Sequence, residues 1–188
     1  MVPMLRPNTL VGGVVLGGIG LLHVGPVVRG RRLKAWGTLK PIAISGAWAA
    51  GVVLLPVLEA GQPVTAGEGA LVVYRFAVVL VNTLLADLGD RTGDAHAGLH
   101  TWATDWPAAF LLRAAYVILG VTVLGGVGAV GWGGAPRLLL VDLVGVLLLG
   151  GLVRRVQHDP SWAHHIAVDA VIAWPLIPFL IKWIGEHL

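Results

Sequence analysis

The residues with the clearest chemical potential lie in one stretch, Asn82-Thr-Leu-Leu-Ala-Asp87-Leu-Gly-Asp90-Arg-Thr-Gly-Asp94. On a helix the spacing i, i+3, i+7 puts Asp87, Asp90 and Asp94 on one face. Asn82, eight residues before Asp90, falls roughly on the same side. Three carboxylates in a row repel one another, so the face calls for a counter-charge. A hard divalent cation with oxygen ligands supplies one, and Mg2+ takes one or two carboxylates together with the phosphate oxygens of a substrate. Asp87, Asp90 and Asp94 are therefore candidate metal ligands, and a diphosphate is the ligand class such a row suits. The plainer alternative is a solvated acidic loop, since loops are polar by default.

Other polar residues stand near this stretch or inside apolar runs. Lys40, Arg91 and Arg113 are candidate phosphate ligands, because Arg and Lys are the usual partners of phosphate oxygens. For Lys40 and Arg91 an equal alternative is a snorkelling anchor. Asp169 lies about six residues into an apolar run, or about 9 Å at 1.5 Å per residue, and a buried acid there faces a bundle interior by default. Its alternative is a structural hydrogen bond between helices. Arg75 and Asp142 read as interfacial or paired across helices, and Asp105, just before Pro107, as a helix N-cap. His96 and His100 are spaced i, i+4 beside the acidic row, and His23 and His164 are a conceivable haem pair. No metalloprotease-type arrangement accompanies any of them, and packing is the ordinary reading.

The elements that must position these residues are apolar helices. Of 188 residues, 56% are hydrophobic and only 12% charged, about half the charge of soluble domains. The absence of cysteine excludes a disulfide framework and a thiolate metal site. The net charge of +3 is spread over loops and gives no nucleic-acid patch. A spanning helix needs about 20 mostly apolar residues, and six candidates appear: Leu10–Val28, Pro41–Leu58, Ala70–Ala86, Pro107–Gly131, Arg137–Leu152 and Ala163–Ile184. The first reads as a retained span and not a signal peptide, because it ends at a basic cluster without a small-residue cleavage site. The expected fold is an all-α integral membrane protein, a bundle of about six transmembrane helices forming one domain over residues 1–188. Arg29, Arg31, Arg32, Lys34, Lys40, Arg91, Arg154 and Arg155 fall in the first, third and fifth loops; Arg6, Arg137 and Lys182 fall on the other side. By the positive-inside rule the acidic segment is cytoplasmic and both termini lie outside. Trp102, Trp106, Trp162 and Trp183 stand near span ends as belt anchors.

The acidic segment resembles the aspartate-rich motif of the UbiA superfamily of membrane prenyltransferases. That family carries N(x)nDxxxD at the cytoplasmic end of a helix. Asp90-Arg-Thr-Gly-Asp94 fits the DxxxD, and Gly98-Leu-His-Thr101 is similar to the G-x-x-T that often follows. Leu39-Lys40-Pro-Ile-Ala-Ile-Ser-Gly-Ala-Trp48, running on to Leu54-Leu-Pro56, looks like a lysine-helix-Trp-Pro segment of the group. His165-Ile-Ala-Val-Asp169-Ala resembles its last-helix segment with a buried Asp. The resemblance covers roughly residues 35 to 184, and only the acidic segment is specific. Family members have nine spans and two Asp-rich motifs. Three spans follow the second motif, as three follow the motif here. The sequence lacks the first motif and the three spans before it.

The resemblance implies Mg2+-dependent chemistry on a prenyl diphosphate, by prenyl transfer or terpene cyclisation. Asp90 and Asp94 would act at the reacting diphosphate, helped by Asp87. Asn82, Asp87, Arg91, Arg113, Lys40 and Asp169 would surround the substrate. The missing motif keeps a second class open: a non-catalytic membrane subunit that binds an isoprenoid, quinone or pigment, or docks in a larger complex. A homo- or hetero-oligomer in which another chain supplies the second motif is the third. The expected partners are an isoprenoid lipid and membrane lipids, with no nucleic acid.

Overall fold

In a computed structural model the chain is described at residues 5–24, 37, 39–131, 138–161, 174 and 184. All of the regular structure among these residues is helical: α1 Pro7–Val24, α2 Leu39–Ala60, α3 Ala66–His96, α4 Trp102–Asp105, α5 Ala108–Gly131 and α6 Leu138–His158. Three of them, α2, α3 and α5, are long and apolar enough to cross a membrane. In α6 no stretch of 18 residues avoids Asp142, Arg154 and Arg155, whereas α3 keeps most of its charges toward its two ends. The first candidate span is helical up to Val24, and the remainder of it lies outside the described residues. So does almost all of the sixth, including Asp169, His164 and His165. Trp174 is described, and its indole Nε1 donates to the Val141 carbonyl of α6 at 2.9 Å.

α3 is the axis of the fold. It packs on α2 along one side and on α4, α5 and α6 along the others, while α1 packs on α2. Eight consecutive residues, Val78 to Leu85, are buried, which is how a helix surrounded by other helices must look. Val78, Val81 and Leu85 meet Leu112, Ala115 and Leu119 of α5 and Leu143, Val146, Leu149, Val153 and Val156 of α6. On a neighbouring face Leu80 and Leu84 pack with Ala103 and Leu111. Large apolar side chains also point outward, among them Val14, Val73, Val117, Val121, Leu124 and Leu147. In water such a surface would be an aggregation hazard; against lipid chains it is the ordinary exterior of a helical membrane protein.

The helix ends explain why α3 is longer than the expected span. At its start Thr65 and Glu68 form a capping box: the Thr65 side chain accepts from backbone N–H groups and Glu68 reaches back to the Thr65 N–H. At its end the Leu99 N–H donates to the Asp94 carbonyl at 2.9 Å and the Gly98 N–H to the Ala95 carbonyl at 3.1 Å. This is the Schellman closure, and it needs a residue in the left-handed region, here Gly98 at φ 64°. The whole acidic row therefore lies on helix. At 1.5 Å per residue the 31 residues of α3 extend roughly 45 Å, longer than a hydrocarbon core of about 30 Å.

Gly37, two residues before α2, lies against the backbone just beyond that closure. A Cβ on Gly37 would stand 1.8 Å from the His100 carbonyl oxygen, so only glycine allows this approach. The contact sets the start of α2, and with it Lys40, beside the acidic end of α3. Between α4 and α5 the sequence expectation needs correcting. Asp105 is the last residue of α4, whose N-cap is Thr101, and α5 begins at Ala108. Asp105 instead accepts from His100 Nδ1 at 3.1 Å and from the Thr104 hydroxyl at 3.2 Å. Two residues, one of them Pro107, separate it from α5, too far for its side chain to serve as that helix's cap.

Candidate functional site

Asp87 is the centre of the acidic end. It is 1% exposed, and its Oδ1 accepts from the Nζ of Lys40, itself buried in the first turn of α2. Its other oxygen, Oδ2, is buried and has no hydrogen-bond partner. α2 and α3 form an antiparallel helical hairpin about Pro63, and Lys40 and Asp87 stand almost equally far from that turn, which is why they meet. Asp94, two turns further on, is also buried.

Asp90 does not share their environment. At about 100° per residue, Asp94 is rotated only about 20° from Asp87 around the helix, whereas Asp90 is rotated about 60°. That difference takes Asp90 off the buried face, and it is exposed. Arg91 is half-buried. Asn82 is buried, with an Oδ1 that has no hydrogen-bond partner. Arg113 is exposed on the outward side of α5, one turn from exposed Phe110 and Val117. The packed side of α5 is instead formed by Leu111, Leu112, Ala115 and Leu119. The structure thus brings Lys40, Asp87 and Asp94 into one buried region. It leaves Asp90 at the rim and Arg113 away from it.

His96 and His100 stand outside this buried region. His96 lies exposed, its Nδ1 2.7 Å from the Thr92 carbonyl, and His100 is exposed beside Asp105. Among the described residues, no three His, Asp or Glu side chains are grouped to hold a metal ion. An Mg2+ ion does not need such a group, because it keeps several waters and binds through one or two carboxylates plus phosphate oxygens. The buried, unpartnered Oδ2 of Asp87 is a donor of the required kind, and Asp90 and Asp94 carry further carboxylates along the same helix end. The donor chemistry fits Mg2+.

Sequence reasoning named Lys40 and Asp87 separately and missed that they pair. The signal was present: in a hairpin turning at Pro63, equal distances from the turn place residues side by side. A second buried ion pair lies toward the other end of α3. Arg75 Nη1 donates to Asp142 Oδ1 at 3.0 Å and stands 2.9 Å from Oδ2. The Arg75 guanidinium also lies 5.4 Å from the centre of the Tyr74 ring. Here the expectation of a pair across helices and the geometry agree.

The fold and these two buried pairs define a helical membrane protein with charged groups inside its helix packing. Comparison with family models, with curated proteins and with solved structures returns no match for the chain.

Proposed function

We propose that the chain is a UbiA-like membrane protein that handles a prenyl diphosphate at the acidic end of α3, with Mg2+-dependent prenyl transfer or terpene cyclisation as its chemistry. One observation carries this reading: Asp87 is buried with one oxygen on Lys40 and the other without a hydrogen bond, two turns from buried Asp94. A buried acceptor without a partner is costly, and a buried acid in a spanning helix marks function by default. The reading includes a bundle of about six spans, with the acidic end cytoplasmic and both termini outside, as the distribution of Lys and Arg supports.

Mg2+, when bound, supplies positive charge to the departing diphosphate. The chain's own part is positional. Asp87, Asp90 and Asp94 hold the cation, and Asn82 lies on α3 deeper toward the helix packing. Lys40 and Arg91 neutralise phosphate oxygens. The apolar residues of α2, α3 and α5 take the prenyl chain and keep water away. The allylic C–O bond breaks with its electron pair going to the diphosphate. The carbon then takes electrons from an acceptor, or from a double bond of its own chain, and a proton is lost.

A second reading is favoured by the exposure of Asp90 and Arg113. Both charges are accessible to another chain, so the protein is then a subunit that binds an isoprenoid tail, or half of a split enzyme completed by a partner or a second copy. The test is binding of farnesyl and geranylgeranyl diphosphate to the purified protein, with and without Mg2+. Mg2+-dependent binding that is lost in Asp94→Asn is the expected result. Absence of binding by folded protein overturns the diphosphate reading and leaves the subunit. Turnover in the double variant Asp90→Asn, Asp94→Asn equal to that of the wild type overturns the catalytic assignment.

A further inference from the structure

The two buried ion pairs on α3 are built differently. Asp142 has both oxygens within 3.0 Å of one guanidinium nitrogen, Oδ1 in a hydrogen bond and Oδ2 in an ionic contact without one. Asp87 has one oxygen on an ammonium and the other with no hydrogen-bond partner. Lysine is a compact charge on a flexible four-carbon stem, whereas the arginine fork is planar and pre-organised. Lys40 also stands in the first turn of α2, where the positive end of the helix dipole disfavours a cation. Its charge serves Asp87 and not its own helix. The same end of α3 carries the carboxylates of Asp90 and Asp94 and the guanidinium of Arg91.

We propose that Lys40 is a displaceable counter-ion of Asp87: it occupies the carboxylate while no divalent cation is present, gives way when one binds, and then presents its ammonium to the diphosphate. This deepens the diphosphate reading and rests on it. Lys40 is then a positioning residue that couples the two ligands. It opposes binding of the cation alone and favours binding of cation and diphosphate together, so free divalent ions bind more weakly until the substrate arrives.

The test uses Mn2+ as the probe on the purified full chain, without any diphosphate, followed by paramagnetic resonance. Removing a tethered competitor strengthens binding by mass action, so Lys40→Gln is expected to bind Mn2+ about tenfold more tightly than the wild type. The same variant is expected to lose affinity for inorganic pyrophosphate in the presence of Mn2+. Mn2+ binding by the wild type that is equal or weaker in Lys40→Gln overturns the proposal and leaves the cation site standing. No Mn2+ binding by either protein overturns the cation site and the proposal together.

A second measurement needs no substitution. Acylation of Lys40 in the wild-type chain by an amine-reactive ester, read on its own peptide by mass spectrometry, is expected to rise severalfold when Mn2+ is added. It is then expected to fall when pyrophosphate follows. Acylation of Lys40 that Mn2+ leaves unchanged overturns the displacement even if Lys40→Gln fails to fold.

Discussion

The Lys40–Asp87 and Arg75–Asp142 pairs stand at matching places on the same helix. Val81 is the midpoint of α3; Arg75 is six residues before it and Asp87 six residues after, each about 9 Å away. Both pairs are largely shielded, with side-chain exposures of 11% and 2% for Lys40 and Asp87 and of 16% and 4% for Arg75 and Asp142. Burial alone does not tell them apart. Their surroundings do. Around Arg75 there is one acid for one base, and an aromatic ring beside the guanidinium. Around Asp87 there are two further acids on the same helix end, and a carboxylate oxygen left without a partner. One pair keeps both carboxylate oxygens against the guanidinium, Oδ1 by a hydrogen bond and Oδ2 by an ionic contact at 2.9 Å, and ties α3 to α6. The other holds one oxygen of Asp87 on Lys40, leaves the second without a hydrogen bond, and ties α3 to α2. Equal depth and equal burial can therefore serve two purposes, and whether the second carboxylate oxygen touches the cation separates them.

The largest expected effect tests the Arg75–Asp142 pair. Arg75→Leu leaves Asp142 buried without a counter-charge and is expected to cost about 3–5 kcal/mol of stability. Asp142→Leu is expected to cost a similar amount, and the double variant to regain most of it, because two apolar side chains of suitable size replace a desolvated pair. Unfolding of the purified protein in detergent checks all three. Losses in the singles that simply add in the double would show that the two residues act independently, and the comparison would fail on that side.

Lys40→Met likewise leaves Asp87 without its counter-charge and is expected to cost about 3 kcal/mol, the low end of the same range, because one ammonium contact is lost where Arg75 has two oxygen contacts. The sharper expectation concerns rescue. A ligand that binds only the folded state stabilises by mass action, so Mg2+ at millimolar concentration is expected to restore the stability of Lys40→Met and to do nothing for Arg75→Leu. Thermal unfolding with and without Mg2+ reads the difference. Equal rescue of both variants, or of neither, would remove the distinction between an open and a closed pair.

Much of this was legible in the residues, and the reasons for the rest are geometric. The apolar runs announce α2, α3 and α5 because helices that face lipid or one another need no polar stripe. The helical face of Asp87 and Asp94 follows from their spacing of seven, which is almost two whole turns. Asp90 departs from that face because three residues fall short of a whole turn by about 60°, and a central helix has neighbours close enough for that angle to decide burial. Arg113 has the depth of a ligand but the wrong side of α5, and hydropathy does not distinguish sides when both are apolar. Asp105 before Pro107 has the composition of a cap, yet Thr101 and Thr104 start a helix first. The Lys40–Asp87 pair depends on where the hairpin turns, which only the position of Pro63 between two apolar runs records.

The smallest expected effects compare the two ends of α3 directly. Gly98→Ala puts a side chain at a left-handed φ of 64° in open space, so strain is its only cost, about 1 kcal/mol. Thr65→Ala removes the N-cap at the opposite end and is expected to cost about the same. In stability the two variants are expected to look alike. In binding they are not. Gly98 closes the turn in which the Asp94 carbonyl is held, so loosening it frees the last turn that carries Asp94. Mg2+-dependent diphosphate binding is expected to weaken severalfold in Gly98→Ala and to be unchanged in Thr65→Ala. If the cap at Thr65 proves as costly to binding as the turn at Gly98, the ligand site cannot be confined to the acidic end of α3. The unpartnered oxygen of Asp87 would then be a feature of packing and not of function.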